Sequence, residues 1–351
     1  GNKAIVPQGS GADSGYTANG QIKWIDRYNS TTAERYEYAY SNDQISTVSL
    51  KQSASTYNSA SPGSGSISWS TIRTVEYEYY GSGSSNGLPG DLKRVQVKSG
   101  TDVIDSRYYR YYTTNGSPAF ASGLKMAFNP ESYSRALASV GGTFSNLESA
   151  SDASIDQFAT HQLEYSGKQI SKHVVQGAAG ASDDGLGTYD YDYLYHQTTS
   201  DLNDWTRRTT VTDPTGSTTT TYINTLGQPV LEIFENTTAG KWGVAYHYDT
   251  AGRLVWRAHP SAVSFTDNSG YGVVYDLAVE TFDDVAYVNN STGLVDVYNY
   301  YGDGSDHTGT AASESTAGAV SGYLEDTLVN RGLSGTAQLI ERKAYKATPS
   351  S

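Results

Sequence analysis

The chain contains no cysteine. That excludes disulfides, thiolate metal centres and cysteine nucleophiles, and leaves packing and hydrogen bonding to supply stability. Long apolar runs are missing too: no stretch approaches the length of a bilayer span, and no charged-then-apolar segment opens the chain, so no membrane span is expected. Methionine occurs once, at Met126, and the first residue is Gly1, which suggests a processed or excised piece of a longer protein. Positive charge is scarce: 24 Lys and Arg face 37 Asp and Glu, a formal charge of −13. Phosphate binding needs a concentrated basic surface, so nucleic acid is an unsuitable partner, and the acidic balance mainly promotes solubility. A Gly-rich phosphate loop and a nucleophile elbow are absent as well.

What the chain has in abundance is tyrosine and glycine, 30 and 36 in 351 residues, with many Ser and Thr. Tyr and Thr favour strands while Gly, Ser and Asn punctuate turns, which predicts an all-β protein with much tyrosine in its core. Tyrosine buries a ring and keeps a polar tip, so a tyrosine-rich sheet can face water on both sides.

The most instructive stretch is residues 246–260. Val244, Tyr246 and Tyr248 alternate with Ala245 and His247, the period of a strand. Asp249 and Gly252 then fit the first and last positions of a type I turn, after which Leu254, Trp256 and Ala258 alternate with Arg253, Val255 and Arg257. The same chemistry recurs in Asp213-Pro214-Thr215-Gly216, where proline presets φ, and in Asn224-Thr225-Leu226-Gly227. A related phrase occurs twice, Tyr40-Ser-Asn-Asp-Gln-Ile45 and Tyr165-Ser-Gly-Lys-Gln-Ile170. Repeated hairpins of this kind predict a continuous antiparallel meander.

Taken in order, residues 1–20 read as an extended lead-in with little to fix it, and 21–128 as degenerate hairpins. Within these, 67–72 and 75–80 look like separate strands, 53–66 like a loop, and Tyr36, Tyr38 and Tyr40 like one face. Tyr108, Tyr109, Tyr111 and Tyr112 interleave with Arg107 and Arg110, which reads as a strand with both faces covered. Residues 129–160 lose the alternation and predict one or two short helices near 132–160, with Ser154 and Gln157 as a capping box, covering an edge or plugging a face. Hairpins resume over 161–260. Residues 261–351 read as degenerate hairpins, with strands at 273–279 and 294–301 and a closing strand at 337–345.

Tyr246-His-Tyr-Asp-Thr-Ala-Gly-Arg253-Leu254 resembles the repeat of the RHS/YD-repeat family, in which a tyrosine strand is followed by Asp, two variable residues, Gly, Arg and an aliphatic residue. The segment from Val211 through Gly216 to Tyr222 is similar to the stretch that links such repeats. The resemblance is closest to bacterial members, relatives of toxin-complex cocoon subunits and the teneurins. It implies a long β-sheet coiled into a hollow shell, in a large exported protein at the cell surface or outside the cell. Toxin-bearing members carry a self-cleaving core with aspartates ahead of a variable toxin. Neither motif is present at the C-terminal end here, so no release chemistry is carried over.

Candidate sites are few. His161, His173, His196, His247, His259 and His307 are not at metal-ligand spacing in sequence, and His247 lies opposite its flanking tyrosines. Asp183-Asp184 and Asp283-Asp284 are carboxylate pairs without a known spatial separation. Asp303 and Asp306, in a Gly-rich loop, are the calcium candidates, although the loop lacks the full ligand series. No other cofactor is indicated. Trp242 and Trp256 are the candidates for stacking on sugar rings. The resulting expectation is a non-catalytic wall segment that pairs, through sheet edges, with the rest of a longer polypeptide or with copies of itself. A carbohydrate-binding adhesin and an edge-to-edge filament subunit are the alternatives.

Overall fold

The structure, a computed structural model, describes residues 11–28, 33–53, 68–176, 187–196, 201–264, 288–302, 311–313 and 316–346. Two compact units are present, Gly1–Thr188 and Tyr189–Ser351, and each is an antiparallel meander. The first contains β1 (Gly11–Tyr16), β2 (Ile22–Tyr28), β3 (Ala33–Ser41), β4 (Gln44–Ser53), β5 (Ser70–Tyr79), β6 (Leu92–Ser99), β7 (Asp102–Tyr111), β8 (Leu124–Phe128), β9 (His161–Ser166) and β10 (Gln169–Val175). Each pairs with the next in sequence.

The second runs through β11 (Gly187–Tyr195), β12 (Arg207–Thr212), β13 (Thr218–Ile223), β14 (Pro229–Asn236), β15 (Gly240–Tyr248), β16 (Leu254–Ala258), β17 (Leu294–Tyr300), β18 (Leu324–Arg331) and β19 (Gln338–Arg342). These too pair serially. The all-β meander read from tyrosine alternation and turn chemistry is the fold observed.

The core of the second unit follows from period-two patterning. Leu231, Ala245, Ala258 and Val295 stand opposite one another across four strands, and all are essentially fully buried. Trp205, Tyr222, Ile233, Tyr248 and Trp256 complete the cluster. In the first unit the core forms where helices α1 (Pro130–Ser139), α2 (Phe144–Ser149) and α3 (Asp152–Ile155) cover the sheet, with α1 against β7 and β8. Tyr108, Met126, Phe128, Leu147 and Ile155 are buried there. Asn129 caps α1 by accepting from the Ser132 N–H at 2.9 Å, and Pro130 occupies the first turn, where its missing N–H costs nothing. Among the described residues no helix is long and apolar enough to cross a membrane.

Several local expectations are corrected. The lead-in is not loose throughout: β1 pairs with β2 over its whole length. Trp24 lies against Gly15, where a Cβ would sit 2.2 Å from the indole nitrogen, so the strand depends on a glycine that lets the ring close over it. Separate strands at 67–72 and 75–80 are replaced by β5, which begins at Ser70 and runs unbroken through Arg73 and Thr74. Ser154 and Gln157 form no capping box. Helix α3 starts at Asp152 behind Ser151, whose side chain makes no capping bond, and Ser154 Oγ donates back to the Ser151 carbonyl at 2.7 Å. Its position is set by buried Ile155 and by Asp152, which pairs with Arg110 and Lys125. The expected strand at 273–279 lies outside the described residues, as does the expected loop at 53–66 apart from Ser53, which ends β4.

Candidate functional site

The turns predicted as the repeating unit share one geometry. The side-chain oxygen of Asp213 accepts from the N–H groups of Thr215 and Ser217 at 2.8 and 3.0 Å. Asn224 accepts from Leu226 and Gln228 at 3.0 Å each, and Asp249 from Ala251 and Arg253 at 2.9 Å each. The N–H groups of Gly216, Gly227 and Gly252 donate back to the carbonyls of Asp213, Asn224 and Asp249 at 2.9–3.0 Å. Their φ angles, +80, +78 and +79°, are in the left-handed region where glycine is unstrained. Pro214 takes the second position of the first turn, as its fixed φ predicts. Arg253 closes the unit by donating from Nε to Asp249 Oδ2 at 2.7 Å while its guanidinium lies 4.5 Å over the Tyr300 ring.

Behind the Asn224 and Asp249 turns, though not the Asp213 turn, lies a second regularity that the sequence did not announce. Tyr248 stands opposite Leu254 and His247 opposite Trp256, so Val255 is an extra residue on the return strand. The same one-residue bulge follows Tyr16 opposite Ile22, Tyr40 opposite Ile45, Tyr79 opposite Leu92, Tyr111 opposite Leu124, Tyr165 opposite Ile170 and Tyr300 opposite Leu324. At Ile223 opposite Pro229 the tyrosine is shifted one residue back, to Tyr222. Further one-residue bulges, at Ile72, Ile104 and Ile340, belong to hairpins that turn at the opposite edge, whereas these tyrosine-flanked ones, because consecutive turns of a meander alternate, share one edge within each unit. There each adds right-handed twist.

The tyrosine hydroxyls then tie one hairpin to the one before it. Tyr40 donates to the Ile22 carbonyl at 2.8 Å, Tyr79 to Ile45 at 2.9 Å and Tyr165 to Leu124 at 2.8 Å. In the second unit Tyr248 donates to Pro229 at 2.8 Å, Tyr300 to Leu254 at 2.9 Å and Tyr345 to Leu324 at 2.8 Å. In every case the acceptor is the aliphatic or proline residue just before the extra residue of the preceding hairpin's return strand. Burial, and then the charge of Glu232, push the Tyr248 hydroxyl up to about 12, so it stays a donor at all ordinary pH. Tyr248→Phe removes one such latch and leaves the Pro229 carbonyl short of a partner. A loss of about 0.5–1.5 kcal/mol is expected in urea denaturation, and wild-type stability would sink the latch assignment.

No family model matches the chain, and no curated protein matches it. Solved structures do. A crystal structure of TcdB2-TccC3 aligns at 10% identity and a TM-score of 0.27 over 94% of this chain and 18% of that one. A TcdB2-TccC3-Cdc42 crystal structure aligns at 9% identity and a TM-score of 0.28 over 94% of this chain and 15% of that one. The chain thus spans less than a fifth of the chains it matches.

The other predicted residues separate. Trp256 is buried and stacked on His247, with ring centroids 5.2 Å apart and planes at 6°. It therefore presents no face to a sugar, which corrects its assignment as a stacking platform. Half-buried Tyr246 packs against the same core cluster as Tyr248 and Trp256 and donates to Glu232 Oε2 at 2.7 Å. Trp242 is 39% exposed and stacks on Phe234. Tyr222 packs edge-on against Trp205, with centroids 5.4 Å apart. Asp303, Asp306, the two Asp-Asp pairs and His307 lie outside the described residues.

Two polar clusters went unnoticed because their members are distant in sequence. Arg257 and His259 of the β16 return both contact Asp296 of β17, at 2.6 and 2.9 Å. Both partners reach the same carboxylate oxygen, Oδ2, so the cluster ties β16 and its return to β17. His161 and His173 meet across the β9–β10 hairpin with nitrogens 2.9 Å apart. Among the described residues no three His, Asp or Glu side chains converge.

Asp152, Asp249 and Asp296 sit below the ordinary carboxylate range. Burial works to raise each, but hydrogen bonds outweigh it: from Lys125 and Arg110, from Arg253, and from His259 and Arg257 respectively. A carboxyl depressed in the folded state adds stability that is complete above its unfolded value of about 3.9 and is lost as pH falls through the folded one. The thermal midpoint should therefore drop steeply below about pH 4. Asp296→Asn should flatten part of that fall, and an unaltered profile would remove Asp296 from the account.

Proposed function

We propose that this chain is a non-catalytic stretch of wall in a large exported YD-repeat protein. The observation that carries the reading is the recurrence, at Tyr40, Tyr79, Tyr165, Tyr248 and Tyr300, of one unit: a tyrosine opposite an aliphatic residue, a bulge beside it, and a hydroxyl latched to the previous hairpin. Such a unit extends a sheet by nearest-neighbour contacts alone and curves it at one edge, which is what an enclosing wall requires. The Arg257–His259–Asp296 cluster favours the same reading, since its charges are paired across strands.

The terminal strand β19 bears on the partner. All five of its residues are exposed, with Leu339 and Ile340 at 51% and 65%. An uncovered apolar edge is a template for another strand, here one from the rest of a longer polypeptide or from a second copy. In sedimentation velocity the chain is expected to self-associate as concentration rises, and Ile340→Pro to reduce that association by removing an edge donor. A monodisperse monomer throughout would overturn edge pairing.

Trp242 supports a second reading, a glycan-binding module, because its indole is exposed and held flat against Phe234. With Trp256 buried, that reading rests on this one platform. Silence on a glycan array at millimolar ligand eliminates it.

A further inference from the structure

We propose that His161 and His173 form a binding site for a divalent late transition-metal ion, copper(II) most tightly, with nickel(II) and zinc(II) behind it. The turn between Ser166 and Gln169, with Gly167 at φ +61°, folds β9 back on β10. In the resulting register His173 is opposite Leu163 and His161 opposite Val175. The two histidines are thus diagonal neighbours on one face, within reach of each other for long side chains. His161 is exposed at the sheet surface and His173 half-buried.

The geometry suits chelation. Nδ1 of His161 is 2.9 Å from Nε2 of His173, with ring centroids 5.1 Å apart and planes at 42°. Two imidazole nitrogens bound to one ion at about 2.0–2.1 Å stand roughly 3 Å apart at ligand angles near 90–100°. The site therefore needs little rearrangement to take a metal: the ring that donates the bridging N–H changes tautomer, its proton passing through solvent to its other nitrogen, and the ion takes the place between the two rings. Imidazole suits copper, nickel and zinc, and affinity rises toward copper(II), whereas calcium and magnesium require oxygen ligands. No third His, Asp or Glu joins the pair among the described residues. The ion would keep open positions for water or an outside ligand while pinning the β9–β10 hairpin.

The test is isothermal titration of copper(II), nickel(II) and calcium(II) chlorides into the full chain at pH 7.5, alongside His161→Gln, His173→Gln and His259→Gln. One copper(II) ion is expected per chain, bound at least tenfold more weakly by either pair variant and equally well by His259→Gln. Nickel(II) should raise the thermal midpoint of the wild type and not of His161→Gln, whose exposed position leaves the fold intact by circular dichroism. Equal copper affinity in wild type and His161→Gln would overturn the proposal, as would calcium binding at the same site. So would loss of binding in His259→Gln with the pair variants unaffected.

Discussion

Gly293→Ala is expected to destabilise the protein by about 3–5 kcal/mol, far more than Gly252→Ala, at about 1–2 kcal/mol. Both glycines close turns at nearly the same angle, φ +83° and +79°, so the backbone strain an alanine brings is common to both. They differ in surroundings. A Cβ on Gly252 first meets Leu226 Cδ1 at 3.1 Å, the far end of a flexible side chain. A Cβ on Gly293 falls 2.2 Å from the Ser261 carbonyl oxygen and 2.3 Å from the Ala262 backbone. That backbone cannot yield, because Ser261 Oγ accepts from the Leu294 N–H at 3.0 Å while the Gly293 carbonyl accepts from the Gly332 N–H at 2.8 Å. Urea denaturation of the two variants measures the difference directly. Equal losses would show that turn conformation alone decides both, and that the packing of β17 against the 261–262 turn is unimportant.

These two glycines also show what could be read from the chain without coordinates. Gly252 is legible because its partner, Asp249, is three residues away and the whole turn is local. Gly293 is not, because the residues that crowd it are more than thirty positions earlier. The tyrosines divide in the same way. Their alternation marks strands, so the meander is visible in the sequence. Their hydroxyl acceptors, 18 to 46 residues distant, are visible only once the strands pair. Strict alternation also gives no sign of the extra residue Val255 on the return strand, which appears only in the pairing register. The histidine pair has a signal that was available: His161 and His173 lie almost symmetrically about Gly167, and a hairpin centred there brings symmetrical positions together. Searching by sequence spacing for metal ligands on one strand overlooks it.

The second large effect concerns how the helices are held on the sheet of the first unit. Arg110→Met is expected to cost about 3–5 kcal/mol. The side chain is 1% exposed, and its donors are distributed over four acceptors. Nε donates to the Tyr108 hydroxyl at 3.0 Å and one terminal nitrogen to Asp152 at 2.6 Å. The other reaches the carbonyls of Leu147 and Glu148, at the end of α2, at 2.7 and 3.3 Å. Helices of six and four residues have too few internal bonds to persist alone, so these contacts are what anchor them. Methionine matches the volume and removes every donor. Arg110→Lys should lose most of the same stability, because an ammonium cannot span the fork that a guanidinium does. Lys172→Met, which breaks a half-exposed pair with Glu164, is the control and should cost under about 1 kcal/mol. Hydrogen exchange supplies the local readout: protection should fall across 144–158 in Arg110→Met and persist in β3–β5. If exchange instead rose evenly through the unit, Arg110 would be an ordinary core residue and the helices would be held by Leu147 and Ile155 alone.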